Sequence, residues 1–284
     1  MVNYEYIECK NPNGQHRMAY TQWGNPENKR VLICVHGFSS TGRNFDYLVA
    51  ALQEKYRIIC PDIVGRGKSD WLSNSSDYGL PLYVSDMLTL INQLNLSNVD
   101  WVGTSMGGLI GMFIASQKDS IINRLVINDI GPEISAKSLK RLAENHLGKG
   151  QSDFDNWSQV TEYVREFYSN YGKLTDSEWE NLAKYTVNLT PEGKYQLHYD
   201  LGIRDIFKVN VGELKPLDLW KTWSSVSCPV LLLHGEESYM LLPEIIQKML
   251  STHPQISVKH FPNCGHVPTL FALEQIEAIA DWLN

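Results

Sequence analysis

One stretch constrains this chain more than any other: Asp100-Trp101-Val102-Gly103-Thr104-Ser105-Met106-Gly107-Gly108. It begins as an apolar run of strand character and turns on glycines. It then continues into Leu109-Ile110-Gly111-Met112-Phe113-Ile114-Ala115, an apolar run of helical character. A buried strand that feeds a helix through so short a turn belongs to a layered α/β architecture. Ser105 sits at the turn, with Gly103 two positions before it and Gly107 two after, the pattern G-x-S-x-G. A turn sharp enough to push one hydroxyl out of the backbone brings its flanking residues against neighbouring main chain, so those positions require glycine. The following helix aims its N-terminus at Ser105 and favours negative charge developing there. Taken alone, the same five residues also describe a glycine-rich turn with a bystander serine, so the rest of the chain decides between the two readings.

Elsewhere the sequence alternates between strand and helix. A hairpin opens the chain, with strands over 4–8 and 17–23 and a turn at Asn11-Pro12-Asn13-Gly14. Val31-Leu32-Ile33-Cys34-Val35 is a continuous apolar run, suited to a strand buried on both faces of a parallel sheet. Further strands are expected over 56–60, 99–102, 125–128, 230–235 and 256–261. Helices are expected over 45–53, 83–94, 109–116, 243–250 and 272–283. The pattern breaks after Pro132. Until about residue 226 the chain is polar and aromatic, with Val160, Tyr163, Val164, Phe167, Tyr168 and Tyr171 at helical spacing. Thr175 and Glu178 can form a capping box at a helix start, with Leu174 and Trp179 placed to staple it. The expected organisation is therefore a core from residues 1–131 and 226–284, with a helical cap inserted over 132–225.

Composition narrows the function classes. The net charge of −7 over 284 residues argues against nucleic acid or an anionic membrane surface as the main partner. No apolar run approaches the ~20 residues of a transmembrane helix, and the first residues do not resemble a signal peptide. The five cysteines, Cys9, Cys34, Cys60, Cys228 and Cys264, are odd in number and contain no C-x-x-C. They indicate neither a disulfide framework nor a zinc ribbon, and together these features suggest a reducing, cytoplasmic location. No metal or other cofactor is expected.

A serine hydroxyl is a weak nucleophile until a base takes its proton. That base must come from a loop at the same edge of the sheet, and His266, in Gly265-His266-Val267-Pro268 just past the last strand, qualifies. Four motifs now stand in order along the chain: His36-Gly37-Phe38; Asp62 with Gly65-Arg66-Gly67-Lys68-Ser69-Asp70; Gly103 to Gly108; and Gly265 to Pro268. Their order and spacing resemble the capped α/β-hydrolases, over nearly the full length of the chain. The resemblance implies a mostly parallel, doubly wound sheet and a triad running serine, acid, histidine along the sequence. It also implies an oxyanion hole from the backbone N–H groups of Phe38 and Met106. His36, Asp62 and the glycine-rich loop after it are read as structural.

The acid is where the chain departs from the family. The usual positions, three and four residues past Gly235, hold Ser238 and Tyr239, neither of which carries the charge that stabilises an imidazolium. Three possibilities stay open: Asp129, at the end of the strand after the nucleophile helix, as in the haloalkane dehalogenases; Glu237; or no effective acid. The functional expectation is a serine hydrolase that cleaves small to medium carboxylic esters through an acyl-enzyme. The alternatives are carbon–carbon hydrolysis of the meta-cleavage type and a weakly catalytic homologue that binds a small molecule. The sequence leaves the oligomeric state open.

Overall fold

The structure is a computed structural model and describes residues 2–148, 152–208 and 214–284. The hairpin of β1 (Tyr4–Asn11) and β2 (Gly14–Trp23) leads to β3 (Val31–Val35), α1 (Asp46–Leu52), β4 (Arg57–Pro61), α2 (Leu80–Gln93), β5 (Val99–Thr104), α3 (Met106–Ala115) and β6 (Ile122–Asn128). The eight-stranded sheet runs β1-β2-β4-β3-β5-β6-β12-β13, where β12 is Val230–Gly235 and β13 is Ile256–Phe261. β1 and β2 are antiparallel to their neighbours, and every pair from β4 to β13 is parallel. This is the mostly parallel, doubly wound sheet that the alternation predicts.

Two apolar clusters show why those strands lack polar faces. Side chains alternate across a strand, and here both sides are covered. Ile33, Val35, Trp101 and Leu232 point into one cluster with Met87 and Leu90 of α2 and Ile110 and Met112 of α3. Leu32, Cys34, Val102 and Leu233 point into the other with Leu48 of α1 and with Ile276 and Ile279 of α9 (Leu273–Trp282). The first cluster also takes Ile245, Ile246 and Met249 of α8 (Pro243–Thr252).

Between β6 and β12 the chain leaves the sheet. It forms β7 (Glu133–Ile134), α4 (Ala136–Gly148), β8 (Asp153–Phe154), α5 (Trp157–Phe167), α6 (Asp176–Thr186), β9 (Val187–Leu189), β10 (Tyr195–Leu197), a 3-10 helix over Leu201–Phe207, β11 (Leu217–Asp218) and α7 (Trp220–Trp223). The capping box at Thr175 and Glu178 is present, and Leu174 and Trp179 are half-buried against the core. The short strands are an addition to the mostly helical pattern expected here. β7 pairs with β11, so the start and end of this excursion lie side by side. β8, β10 and β9 form a second small sheet. Strands of two or three residues are too short to display an alternation, which is why the sequence does not reveal them.

Two helices begin earlier than their apolar spacing implies. α2 starts at Leu80 with a proline in its first turn, where the missing N–H has no helical partner in any case. α3 starts at Met106, so Gly107 and Gly108 belong to the helix and not to the turn. Among the described residues no helix is long and apolar enough to cross a membrane.

Candidate active site

Ser105 lies between β5 and α3 with φ 50° and ψ −110°, a conformation that costs a non-glycine residue energy and is tolerated where the surroundings enforce it. Enforcement comes from close backbone approach. A Cβ on Gly103 would lie 2.2 Å from the Gly107 carbonyl oxygen, and one on Gly107 would lie 2.0 Å from that of Val35. Ser105 N–H donates to Asn128 O at 2.9 Å, and Ser105 O accepts from the Gly108 and Leu109 N–H groups as α3 begins. The hydroxyl is left outside the backbone, facing the ends of the parallel strands.

His266 reaches it from the loop after β13. Its Nε2 is 3.0 Å from Ser105 Oγ, and its Nδ1 is 2.8 Å from Asp129 Oδ2. A carboxylate can only accept, so Nδ1–H donates to Asp129 and Nε2 presents its lone pair to the serine. Asp129 is 0 % exposed and directly follows β6, with φ 58°. Its other oxygen, Oδ1, accepts from Gly235 N–H at 3.0 Å. Its own N–H donates to Leu233 O at 2.9 Å. Asn128, fully buried beside it, donates from Nδ2 to Pro268 O at 2.8 Å and to Thr104 Oγ1 at 3.2 Å, tying the end of β6 to the His266 loop.

The other carboxylate candidate lies elsewhere. Glu237 is exposed, and its backbone N–H donates to Cys264 O. Ser238 Oγ accepts from the N–H groups of Met240 and Leu241, closing a local turn. The Tyr239 ring stands edge-on to the His266 imidazole, with centroids 5.8 Å apart.

The two expected oxyanion donors flank the serine. Met106 opens α3, where N–H groups have no partner one turn back. Phe38 follows Gly37, which lies beside Ser105: a Cβ added there would be 3.8 Å from Ser105 Cβ. Behind this loop His36 is fully buried. Its Nε2 accepts from Ile63 N–H at 2.9 Å, so Nδ1 carries the proton and donates to Gly37 O at 2.7 Å. Burial pushes its pKa down to about 3, keeping the ring neutral. Asp62 takes the N–H groups of Gly42 and Lys68 and anchors the glycine-rich loop.

Two cavities meet at Ser105. One, of about 60 Å³, includes Ser39, Asn145, His146, Tyr171, Tyr239 and His266 in its wall. The other, of about 320 Å³, is walled by Leu109, Ile134, Leu139, Ile203, Phe207 and Met240 and is overwhelmingly apolar. His146, on α4, is a site residue that sequence reasoning missed. Its Nδ1 meets Leu142 O at 2.9 Å and its Nε2 meets Ser39 Oγ at 3.3 Å. Burial pushes its pKa down to about 4. Its only sequence signal is a place on the apolar side of a helix, which most buried histidines share. Arg66, read with its glycine-rich loop as structural, is fully buried.

Among the described residues one cluster has metal-ligand spacing. Cys9, His16 and Asp86 are all buried, with ligand atoms within 4.8 Å of one another. None of the three lines either cavity at Ser105. His16 Nε2 is already engaged by Asp86 Oδ2 at 2.9 Å.

Comparison with known proteins agrees with this architecture. The model of the α/β hydrolase fold family matches residues 30–273. The 3-hydroxybutyrate-oligomer hydrolase of Cupriavidus necator is 38 % identical over 277 residues, covering 95 % of this chain and 94 % of that protein. A solved structure from Rickettsia typhi is 31 % identical with a TM-score of 0.91, covering 100 % of this chain and 98 % of that one. An α/β hydrolase from Novosphingobium aromaticivorans is 29 % identical with a TM-score of 0.88, covering 100 % and 99 %. With its sheet order, its strand–serine–helix turn and a family match across most of its length, the chain belongs to the α/β hydrolase fold family.

Proposed function

We propose that the protein is a serine hydrolase of small to medium carboxylic esters, working without a metal through an acyl-enzyme. The observation that carries this reading is the unbroken relay from Ser105 Oγ through His266 to Asp129, with both links at hydrogen-bond length. In the acylation step Ser105 Oγ bonds to the ester carbonyl carbon while its proton passes to His266 Nε2. The carbonyl electron pair moves onto oxygen, where the Phe38 and Met106 N–H groups receive it. Collapse expels the alkoxide, which takes the proton from His266. Water then repeats the sequence, releasing the acid and restoring Ser105.

Asp129 holds the imidazole in the tautomer this chemistry needs and faces the positive charge that forms on it. In this reading residues 132–225 are the cap, closing over the two cavities and setting substrate size. The similarity to a 3-hydroxybutyrate-oligomer hydrolase supports esters of short hydroxy acids as substrates. Free thiols, four of them buried, fit a reducing, cytoplasmic setting.

Labelling by a fluorophosphonate, with Ser105→Ala as control, tests the nucleophile. A series of p-nitrophenyl esters of rising acyl length, with and without a 3-hydroxyl group, then tests the substrate class. Folded protein that takes no label and turns over no ester would support a small-molecule-binding homologue instead.

A further inference from the structure

Among the described residues, Arg66 is the largest charged side chain with no exposed surface, at 0 %. Among the described residues no carboxylate lies within ion-pair distance of it. Its guanidinium is instead spread over neutral partners. Nε donates to Phe38 O at 2.8 Å. Nη1 donates to Val64 O at 2.8 Å and to the Tyr83 hydroxyl at 2.9 Å. Nη2 lies 3.8 Å from Met106 Sδ. The group also faces the rings of Phe38 and Tyr83, at 5.2 Å and 4.9 Å from their centroids. Its loop is held in turn, since Gly67 N–H donates to His198 O and Gly65 O accepts from Asp200 N–H.

A buried cation without an anion is costly and persists only where something compensates it. Carbonyls and aromatic faces do part of that work. The residues that Arg66 grips supply the rest of the argument, because they are the two that carry the oxyanion donors. The peptide bearing the Phe38 N–H is held by His36, which binds its Gly37 carbonyl, and the next peptide along is held by Arg66, which binds the Phe38 carbonyl, so Phe38 is fixed on both sides. The same guanidinium touches Met106 across the site. Arg66 lines neither cavity, so Phe38 and Met106 separate it from solvent and substrate.

We propose that Arg66 is a positioning residue for the oxyanion hole. It locks the Phe38 and Met106 sides of the hole together and holds a buried positive charge whose counter-anion forms only during turnover. This inference rests on the ester-hydrolase reading of Ser105. Preorganised charge of this kind acts on the transition state and leaves ground-state binding alone.

The test compares wild type with Arg66→Met and Arg66→Lys, using p-nitrophenyl butyrate and two inhibitors of the same shape. A trifluoromethyl ketone adds Ser105 Oγ to its carbonyl carbon, passes the serine proton to His266 and leaves an oxyanion in the hole. The corresponding secondary alcohol forms no such adduct. In Arg66→Met, kcat is expected to fall about 100-fold, as for loss of one oxyanion donor, with KM nearly unchanged. Ketone affinity falls in step with kcat, while alcohol affinity stays level. Arg66→Lys keeps the charge but lacks the fork, and its kcat lies between the two.

Unchanged kcat in folded Arg66→Met would overturn the proposal, as would ketone and alcohol affinities that fall together. Should that variant not fold, Tyr83→Phe removes one guanidinium anchor; a severalfold loss of ketone affinity alone supports the proposal, and no loss overturns it. Wild-type protein that forms no ketone adduct and cleaves no ester would overturn the hydrolase reading itself, and this inference with it, whatever the variants do.

Discussion

Two neighbouring strand ends face His266, and they differ in what they contribute. β6 and β12 are hydrogen-bonded neighbours, in register at Asn128 and Leu233. The β6 end supplies a buried carboxylate, Asp129, with one oxygen on His266 and the other on the backbone. The β12 end supplies no side-chain charge to the imidazole. It offers the Gly235 N–H and the Leu233 carbonyl, which hold Asp129 in place. The family resemblance would put an acid past β12; the carboxylate beside His266 Nδ1 comes instead from the neighbouring strand end, and β12 supports it. What is kept is a position in space beside Nδ1, reachable from either of two adjacent strands.

That contrast breaks most visibly at Asp129. In Asp129→Asn the amide can still accept from Gly235 N–H, so the fold is expected to survive. The side chain now offers N–H to Nδ1, which favours the tautomer that points a proton at the serine. Steady-state ester hydrolysis should show kcat reduced about 10⁴-fold, the scale of the same substitution in other triads. A loss below tenfold would mean that the β6 carboxylate is not the acid. Returning the charge to the β12 end sharpens the comparison. Tyr239 already stands beside the His266 ring, so Tyr239→Asp in the Asp129→Asn background is expected to regain about tenfold in kcat. The same change with Asp129 intact should give no gain.

The two strand ends also explain what could be read in advance. The sheet was legible because its strands are buried on both faces and therefore appear as unbroken apolar runs. The serine turn was legible because its glycines answer to steric limits within a few residues. Asp129 was legible as a candidate from its place after β6, but the choice over Glu237 required the fold, since neither separation in sequence reports a distance to His266. Arg66 and His146 were not legible as site residues. Their burial comes from segments far along the chain, from residue 83 on α2 in one case and from Phe167 and Phe207 in the other. Local pattern carries no trace of such contacts.

A smaller effect is expected one residue earlier. Asn128 does not touch the imidazole; it holds the Pro268 carbonyl and so the approach of the His266 loop to β6. Asn128→Ala leaves that carbonyl buried and unpaired, which costs about 1–3 kcal/mol of stability. Activity should fall by about tenfold through looser placement of the base. Denaturant unfolding and kcat measured on the same preparation separate the two effects.

Acid sensitivity is expected from histidines that burial keeps neutral. His36 and His146 are pushed down to about 3 and about 4. Below the ordinary histidine range the unfolded chain takes up protons that these folded rings refuse, so stability is lost as pH falls from about 6.5 towards 4, by at most ~1.4 kcal/mol per pH unit for each ring. Asp62 opposes them. Burial raises it to about 6, so the folded state gains its proton before the unfolded one does and stability rises as pH falls through that range. His198, pushed down to about 4 by burial, adds to the two rings, while burial raises Asp46 and Asp86 on the side of Asp62; the larger displacements of the three rings should make the thermal midpoint drop between pH 6.5 and 4. Replacing His146 with Phe should flatten that drop, and an unaltered slope would show that its ring is not held neutral.

The smallest expected effect is the one that decides between the two carboxylates. Glu237 lies within the β12-end loop, one residue before the positions that the family spacing from Gly235 marks, yet its side chain is exposed and the His266 Nδ1 is already taken by Asp129. An exposed charge is screened by water and counter-ions, so its pull on the relay is weak. Glu237→Gln should therefore leave kcat, KM and the pH dependence of turnover within about twofold of wild type. A loss approaching that of Asp129→Asn would place the working acid on β12 after all. It would also mean that the Asp129–His266 contact serves the fold and not the reaction.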